Sequence, residues 1–333
     1  MNATVPTAEA LRGALAELLA GLPPKQAQQA VERLIVNYRG STPTDAPVLR
    51  DRSDVVAYAA YRMPATFEAA RSALAALAAV SPGWSPADHV DVGGGTGAAT
   101  WAVDATWDAP RRTTVLDWAE PALALGRELT SRAPSQALRE SQWHRAVIGS
   151  GLKVPQSDLV TVSYVLGELT APAREAVLAE AARAAQAVVI IEPGTPEGYL
   201  RVREARDHFI AAGLRIAAPC PHDGACPIVP GEDWCHFSAR VSRSSLHRQV
   251  KGGSLAYEDE KFSFVAAVRF PARPVVERIT RKPQIRKGLV LLDLCGPTER
   301  GLHRETVTKR HGARYRAARD AQWGDAWPPA DEG

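Results

Sequence analysis

From Asp88 to Pro193, short apolar runs alternate with amphipathic stretches, which predicts a parallel sheet with helices on both faces. The runs read as strands are HVDV (89–92), TTVLD (113–117), WHRAVI (143–148), DLVTVSYV (158–165) and AVVIIEP (187–193). Helical patterns begin between and after them, near Gly97, Glu120, Ala171 and Pro196. Upstream, Thr7 is placed to cap a helix running to about Ala20, Gly21 stops it, and Pro23 and Pro24 open a second helix ending near Gly40. Two further helical patterns follow, one from Ser53 to Arg62 and one that Pro64 starts, FEAARSALAALAAV. Residues 1–85 are therefore expected to be a helical N-terminal segment and residues 86–300 an α/β domain, a doubly wound sheet. The alternation stops after Ala212, and Ala218 to Phe237 (218–237) reads as a structured loop inserted into the sheet domain. FSFVAAVRF and GLVLLDLC then resume the strand pattern, and residues 301–333 read as a basic C-terminal tail.

The stretch on which this pattern turns is DVGGGTG, Asp91 to Gly97, between a strand-like run and a helix-like one. Lacking side chains, Gly93, Gly95 and Gly97 allow a sharp turn and close approach of a ligand, and the next helix offers free N–H groups at its start. The spacing fits Asp-x-Gly-x-Gly-x-Gly, the motif of S-adenosylmethionine (SAM) methyltransferases. Gly93, Gly95 and Ala98 also satisfy the looser dinucleotide fingerprint, so the loop alone leaves SAM and NAD open. Asp117 lies about twenty residues beyond the loop, where an acid hydrogen-bonds ribose hydroxyls in either case. Ligands bind at the carboxyl ends of strands in such sheets, so Gly93–Gly97, Asp117, Ser163–Glu168 and Glu192–Thr195 are expected to converge on one crevice.

Composition narrows the setting. A chain of 333 residues, 45% hydrophobic and 23% charged, suits a globular protein, and no run of about eighteen apolar residues predicts a membrane span. The opening MNATVPTAEALRGALAELLAG reads as a helix and not as a signal peptide, giving the expectation of a cytoplasmic protein. The net charge of +3 is unevenly spread: His236 to Asp320 holds 19 Lys and Arg against 8 Asp and Glu, a local +11. With His247, Tyr257, His303, His311 and Tyr315 interspersed, that excess fits a phosphate-backbone surface, RNA in particular, although a charge run is also what a solvated face looks like.

All four cysteines lie in the C-terminal part, Cys220, Cys226 and Cys235 in the inserted loop and Cys295 at the end of a strand-like run. Four thiolates close the coordination of a structural zinc or of an iron–sulfur cluster. The paired C-x-x-C knuckles usual for zinc are missing, and the irregular spacing suits the larger cluster better. His222 and His236 neighbour candidate ligands, but a lone loop histidine is more often a hydrogen-bond partner.

CPHDGACPIVPGEDWCHF, SLAYEDEKFSFVAAVR, RKGLVLLDLC and ARDAQWGDAWP, together with DVGGGTG and IEPGTPEG, resemble the family of methyltransferase-like proteins associated with the small ribosomal subunit. Its members are known chiefly as mitochondrial small-subunit assembly factors, with bacterial relatives. The resemblance covers about Asp88 to Pro328. It implies a SAM-methyltransferase-like fold with an inserted cysteine-rich metal loop, a 4Fe-4S cluster on Cys220, Cys226, Cys235 and Cys295, and a SAM cradle of Asp91, Gly93, Gly95, Gly97 and Asp117. It also implies small-subunit ribosomal RNA, or a pre-ribosomal particle, as partner. The catalytic residues are not implied: SYVLGEL (163–169) has neither an Asn/Asp-Pro-Pro-Tyr turn nor a nucleophilic cysteine. Tyr164 and Glu168 either line a pocket or serve as strand packing and a helix-start acid. A SAM-dependent rRNA methyltransferase and a non-catalytic RNA-binding assembly factor, with zinc as the alternative metal, both fit these motifs, and the cluster is expected to be structural.

Overall fold

The computed structural model describes residues 6–20, 52–243 and 256–329, with single positions at 25, 29, 31 and 32. The helix expected from Pro23 to near Gly40 falls mostly outside the described residues. Helix α1 spans Thr7–Ala20, and α2 spans Arg52–Val80 without interruption. The sequence predicted two helices there, divided at Pro64. Proline removes one helical N–H and crowds the preceding turn, a penalty of about 3 kcal/mol in a helix interior. Burial outweighs it, because Val55, Val56, Ala59 and Met63 before Pro64 and Phe67, Ala70, Leu74 and Leu77 after it enter the same core.

The main sheet runs β1 (Asp88–Val92), β2 (Arg112–Asp117), β3 (Gln142–Arg145), β4 (Ser157–Ser163) and β5 (Ala185–Pro193), all mutually parallel. Between them lie α3 (Ala98–Thr106), α4 (Glu120–Ser131), the short α5 (Gln136–Arg139) and α6 (Ala171–Ala184). After β5 come α7 (Pro196–Ala211), β6 (Arg215–Ala218), β7 (Phe237–Ser242) and β8 (Tyr257–Val268). The order β3-β2-β1-β4-β5-β8-β6, with β8 antiparallel to β5 and β6, is the doubly wound arrangement expected of a SAM-methyltransferase-like domain. Order reverses between β1 and β4, so the strand ends there splay apart and leave a crevice. β3 stops at Arg145, short of the predicted Ile148, and β4 stops at Ser163 because Tyr164 turns into the left-handed region at φ 59°.

Period-two alternation builds two cores. Ala187, Val189 and Ile191 of β5 face α2 and α3, while Val188 and Ile190 face α6 and α7. Phe262, Phe264 and Ala266 of β8 continue the first face, and Val265 and Ala267 the second. Both faces are covered, which is why these strands read as unbroken apolar runs.

The C-terminal part departs from expectation. β9 (Glu277–Ile279), β10 (Gln284–Arg286), β11 (Leu289–Cys295), β12 (Leu302–Thr308) and β13 (Ala326–Trp327) form a second, antiparallel sheet, packed by α8 (Ala313–Asp320). Its own core comprises Ile279, Val290, Leu292, Leu294, Val307, Ala318 and Trp327. The stretch expected as a basic tail from 301 thus supplies β12, α8 and β13. Arg314 lies over the Trp327 ring at 5.1 Å and pairs with Glu305, which also accepts the Trp327 indole N–H at 2.7 Å.

Replacing the interior proline tests whether packing overrides propensity in α2. Pro64→Ala is expected to stabilise the protein by about 1–3 kcal/mol in denaturant unfolding; an unchanged or lower midpoint contradicts it.

Candidate functional site

The glycine loop is shaped by close packing beneath it. A Cβ on Gly93 (φ 67°) would meet Val165 at 2.6 Å, and one on Gly97 (φ 87°) would meet the Trp143 ring at 2.6 Å. Gly95 differs: its φ is 55°, but a Cβ there would find nothing nearer than Asp117 Oδ2 at 4.0 Å. Gly95 therefore borders open space, the cradle of the crevice.

Asp91 is fully buried and turned inward. Its carboxylate accepts the Thr100 N–H at 3.2 Å, the Thr100 hydroxyl at 3.0 Å and the Thr161 hydroxyl at 2.9 Å, tying the start of α3 and strand β4 to β1. Burial pushes its pKa up to about 6 against the pull of those hydrogen bonds. His89 Nε2 lies 2.8 Å from the Thr161 hydroxyl; since that hydroxyl donates to Asp91, the ring must be the donor here. Burial holds His89 down to about 3, hence neutral.

Asp117, at the end of β2, accepts the N–H groups of Gly95 at 2.9 Å and Ala119 at 2.8 Å, and burial raises its pKa. Glu192, at the end of β5, is buried, accepts the Leu166 N–H at 3.1 Å and pairs with Arg201 Nε at 2.6 Å. Glu168 follows β4 and reaches solvent, yet its dense surroundings, then Asp117 and Glu192, push it up to about 7. Three carboxylates from three strand ends thus give the crevice a negative field. Helix α2 packs beside it: Thr96 donates to Met63 Sδ at 3.4 Å, and Arg62 donates to Glu260 at 2.9 Å and 3.4 Å. Glu260 Oε1 also accepts the Tyr164 hydroxyl at 3.2 Å, so α2, the turn after β4 and β8 are joined there.

A second site lies where the two sheets meet. Cys220, Cys226 and Cys235 in the loop between β6 and β7, and Cys295 at the end of β11, line one cavity of about 630 Å³ including its open mouth. Arg278 is the cross-strand neighbour of Cys295, and α7 contributes Arg206 and Tyr199, whose hydroxyl is 3.3 Å from Cys226 Sγ. Burial, then neighbouring thiols, pushes Cys235 well up and Cys295 up to about 12; Arg206 and Arg278 pull Cys295 the other way. Among the described residues, no three His, Cys, Asp or Glu side chains stand as a group able to hold a single metal ion.

The expected residues therefore gather at two places, Asp91, Gly93, Gly95, Gly97 and Asp117 at the crevice and the four cysteines at the cavity. The two are linked, because Trp234, beside Cys235, donates its indole N–H to Gly194 O at 2.9 Å just past β5. His236 stacks on Trp234 and meets Trp323 edge-on, an aromatic packing role, whereas His222 lines the cavity. Arg62, Glu260, Arg206 and Arg278 escaped the sequence reading, since a charged residue gives no periodic signal of where it is buried. Among the described residues no helix is long and apolar enough to cross a membrane.

A family model described as "Mitochondrial small ribosomal subunit Rsm22" matches residues 52–328. The human "Ribosome assembly protein METTL17, mitochondrial" is 28% identical over 288 residues, 81% of this chain and 62% of that protein. The Schizosaccharomyces pombe "Rsm22-cox11 tandem protein 2, mitochondrial" is 28% identical over 183 residues, 42% of this chain and 24% of that protein. The chain thus spans less than two thirds of the length of either relative. A Synechocystis magnesium protoporphyrin IX methyltransferase with bound SAM aligns at 12% identity and a TM-score of 0.42, covering 81% of this chain and all of that one. A Pyrococcus horikoshii protein titled "putative RNA methyltransferase" aligns at 11% identity and a TM-score of 0.39, covering 72% of this chain and 96% of that one. These scores are low, and the fold assignment rests on strand order. The names correct one expectation: the matching family and both relatives are described as mitochondrial, which overturns the cytoplasmic assignment.

Because Glu168 is held above its ordinary range, its ionisation costs the fold stability as pH rises from about 4.5 through about 7. Glu168→Gln is expected to leave stability unchanged at pH 4 and to raise it at pH 8. Equal unfolding midpoints for variant and wild type at pH 8 would refute this placement.

Proposed function

This chain belongs to the Rsm22 family of mitochondrial small-ribosomal-subunit proteins, and on that premise we propose that it acts in assembly of the small ribosomal subunit. In this reading it binds SAM in the crevice, a 4Fe-4S cluster on Cys220, Cys226, Cys235 and Cys295, and ribosomal RNA through its second sheet.

The crevice suits SAM better than a dinucleotide on charge. Asp117, Glu168 and Glu192 favour a cationic sulfonium and ammonium and oppose a pyrophosphate. Gly95 leaves room for close approach, Asp117 is oriented by the loop toward ribose hydroxyls, and Asp91 supports the loop from below. Bound SAM supplies an activated methyl group. The Glu168 carboxylate carries no hydrogen bond among the described residues and is the carboxylate here equipped to take a proton from an incoming acceptor.

The observation that carries the metal reading is the convergence of thiols from two sheets on one cavity also walled by buried cationic side chains. The irregular spacing of the four cysteines, without paired C-x-x-C knuckles, supports a larger inorganic core over mononuclear zinc. For RNA, the support is a set of exposed cations. Lys282, Lys287, Lys309, Arg310, Arg316 and Arg319 have no acidic partner among the described residues, and Lys309 N–H bonds Gly288 O, which brings Lys287 and Lys309 to one end of the sheet.

Anaerobically purified protein is expected to be brown and to contain iron and sulfide in equal amounts, both lost in Cys226→Ser; a colourless zinc protein overturns the cluster. Gly95→Ala, placed at a left-handed position, is expected to cost about 1–2 kcal/mol of stability and to weaken SAM binding at least tenfold by calorimetry. Unaltered SAM affinity in that variant would remove the crevice from consideration.

A further inference from the structure

Three side chains lining the cysteine cavity have buried nitrogen atoms without a hydrogen-bond partner: Arg206 Nε, Arg278 Nη2 and both ring nitrogens of His222. The remainder of each guanidinium is firmly held. Arg278 donates from Nε to Pro219 O at 2.8 Å and from Nη1 to Gly324 O at 2.9 Å. Arg206 donates from Nη2 to His222 O at 3.0 Å and Gly224 O at 2.5 Å, and from Nη1 to Asp207 at 3.0 Å. These arginines are 5% and 4% exposed, so bulk solvent does not reach the free nitrogens.

A buried donor left unpaired costs about 1–3 kcal/mol, and more when charged. Coincidence of three in one cavity, opposite four thiols, implies an acceptor that belongs there. A neutral thiol is a weak acceptor, whereas thiolate and sulfide sulfurs on a cluster with a net charge of about −2 are strong ones, and two guanidinium groups match that charge. We propose that Arg206, Arg278 and His222 donate hydrogen bonds to the sulfur atoms of the cluster and hold its reduction potential up. This rests on the cluster reading above. The physical reason is that a positive charge or a donated hydrogen bond stabilises the more negative, reduced form more than the oxidised one. Because Arg278 and Cys295 are cross-strand partners on the second sheet while Arg206 comes from α7, the donors are supplied from both sides of the cavity.

The test is a redox titration of the full chain, purified anaerobically, with iron and sulfide measured in each variant. His222→Ala removes a half-buried imidazole and keeps the His222 carbonyl that Arg206 uses; Arg278→Met removes a cation and Arg278→Lys keeps it. With cluster content retained, His222→Ala and Arg278→Met are each expected to lower the reduced-to-oxidised ratio at fixed potential three- to tenfold. Tenfold corresponds to about 59 mV for one electron. Arg278→Lys should fall between wild type and Arg278→Met. If Arg278→Met does not hold the cluster, His222→Ala and Arg278→Lys decide the matter. Intact clusters whose potentials do not move in those variants overturn the inference and leave the cluster standing. A wild-type protein without iron and sulfide overturns both.

Discussion

Strand β8 is the member on which both sites hang. Its second half pairs with β5 from Pro193↔Phe262 to Ala187↔Val268, and its first half pairs with β7. At the junction, Gly194 N–H reaches Lys261 O at 2.9 Å, Ser263 donates to the carbonyl of Cys235 at 2.7 Å, and Glu260 receives Arg62 and Tyr164. One strand thus fixes α2 beside the crevice on one side and the cysteine loop on the other. A shift of β8 by one residue would exchange its two faces and send Phe262 and Phe264 out of the core they share with α2.

The crevice and the cavity solve opposite electrostatic problems with the same device, burial. At the crevice, Asp117, Glu168 and Glu192 crowd negative charge, which Arg201 and then Arg174 offset at Glu192. At the cavity, Arg206 and Arg278 crowd positive charge beside thiols held neutral by desolvation. Each arrangement is unfavourable when empty and favourable with a ligand of opposite charge, which is the usual way a fold stores selectivity.

Much of this was legible in the chain because it follows rules of period and spacing. The five parallel strands showed as apolar runs, and the turn at Asp91–Gly97 could not be other than tight. The cysteines showed as an unusual local concentration. The second sheet was hidden for a physical reason: its strands are short, and β12, LHRETVT, fully buries only Val307, exposes Leu302 and half-buries Glu305 under Trp327, so its composition resembles a tail. Counting charges also misled about Arg278, which adds to the basic excess on paper yet lies in the interior. Pro64 misled by obeying a local preference that tertiary packing overrules.

Cys295 belongs to the second sheet, while Cys220, Cys226 and Cys235 hang from the first. Any bonded group that joined all four would close a chain loop of about 75 residues, and a covalent closure of that length removes about 4 kcal/mol of unfolded-chain entropy. The small sheet already meets the larger domain through Arg278 Nε on Pro219 O, the Arg281–Asp233 ion pair and Trp323 against His236. A group bonded to all four thiols would add to those contacts a tether that persists when they break, so the two sheets could part locally without the chain losing its connection between them.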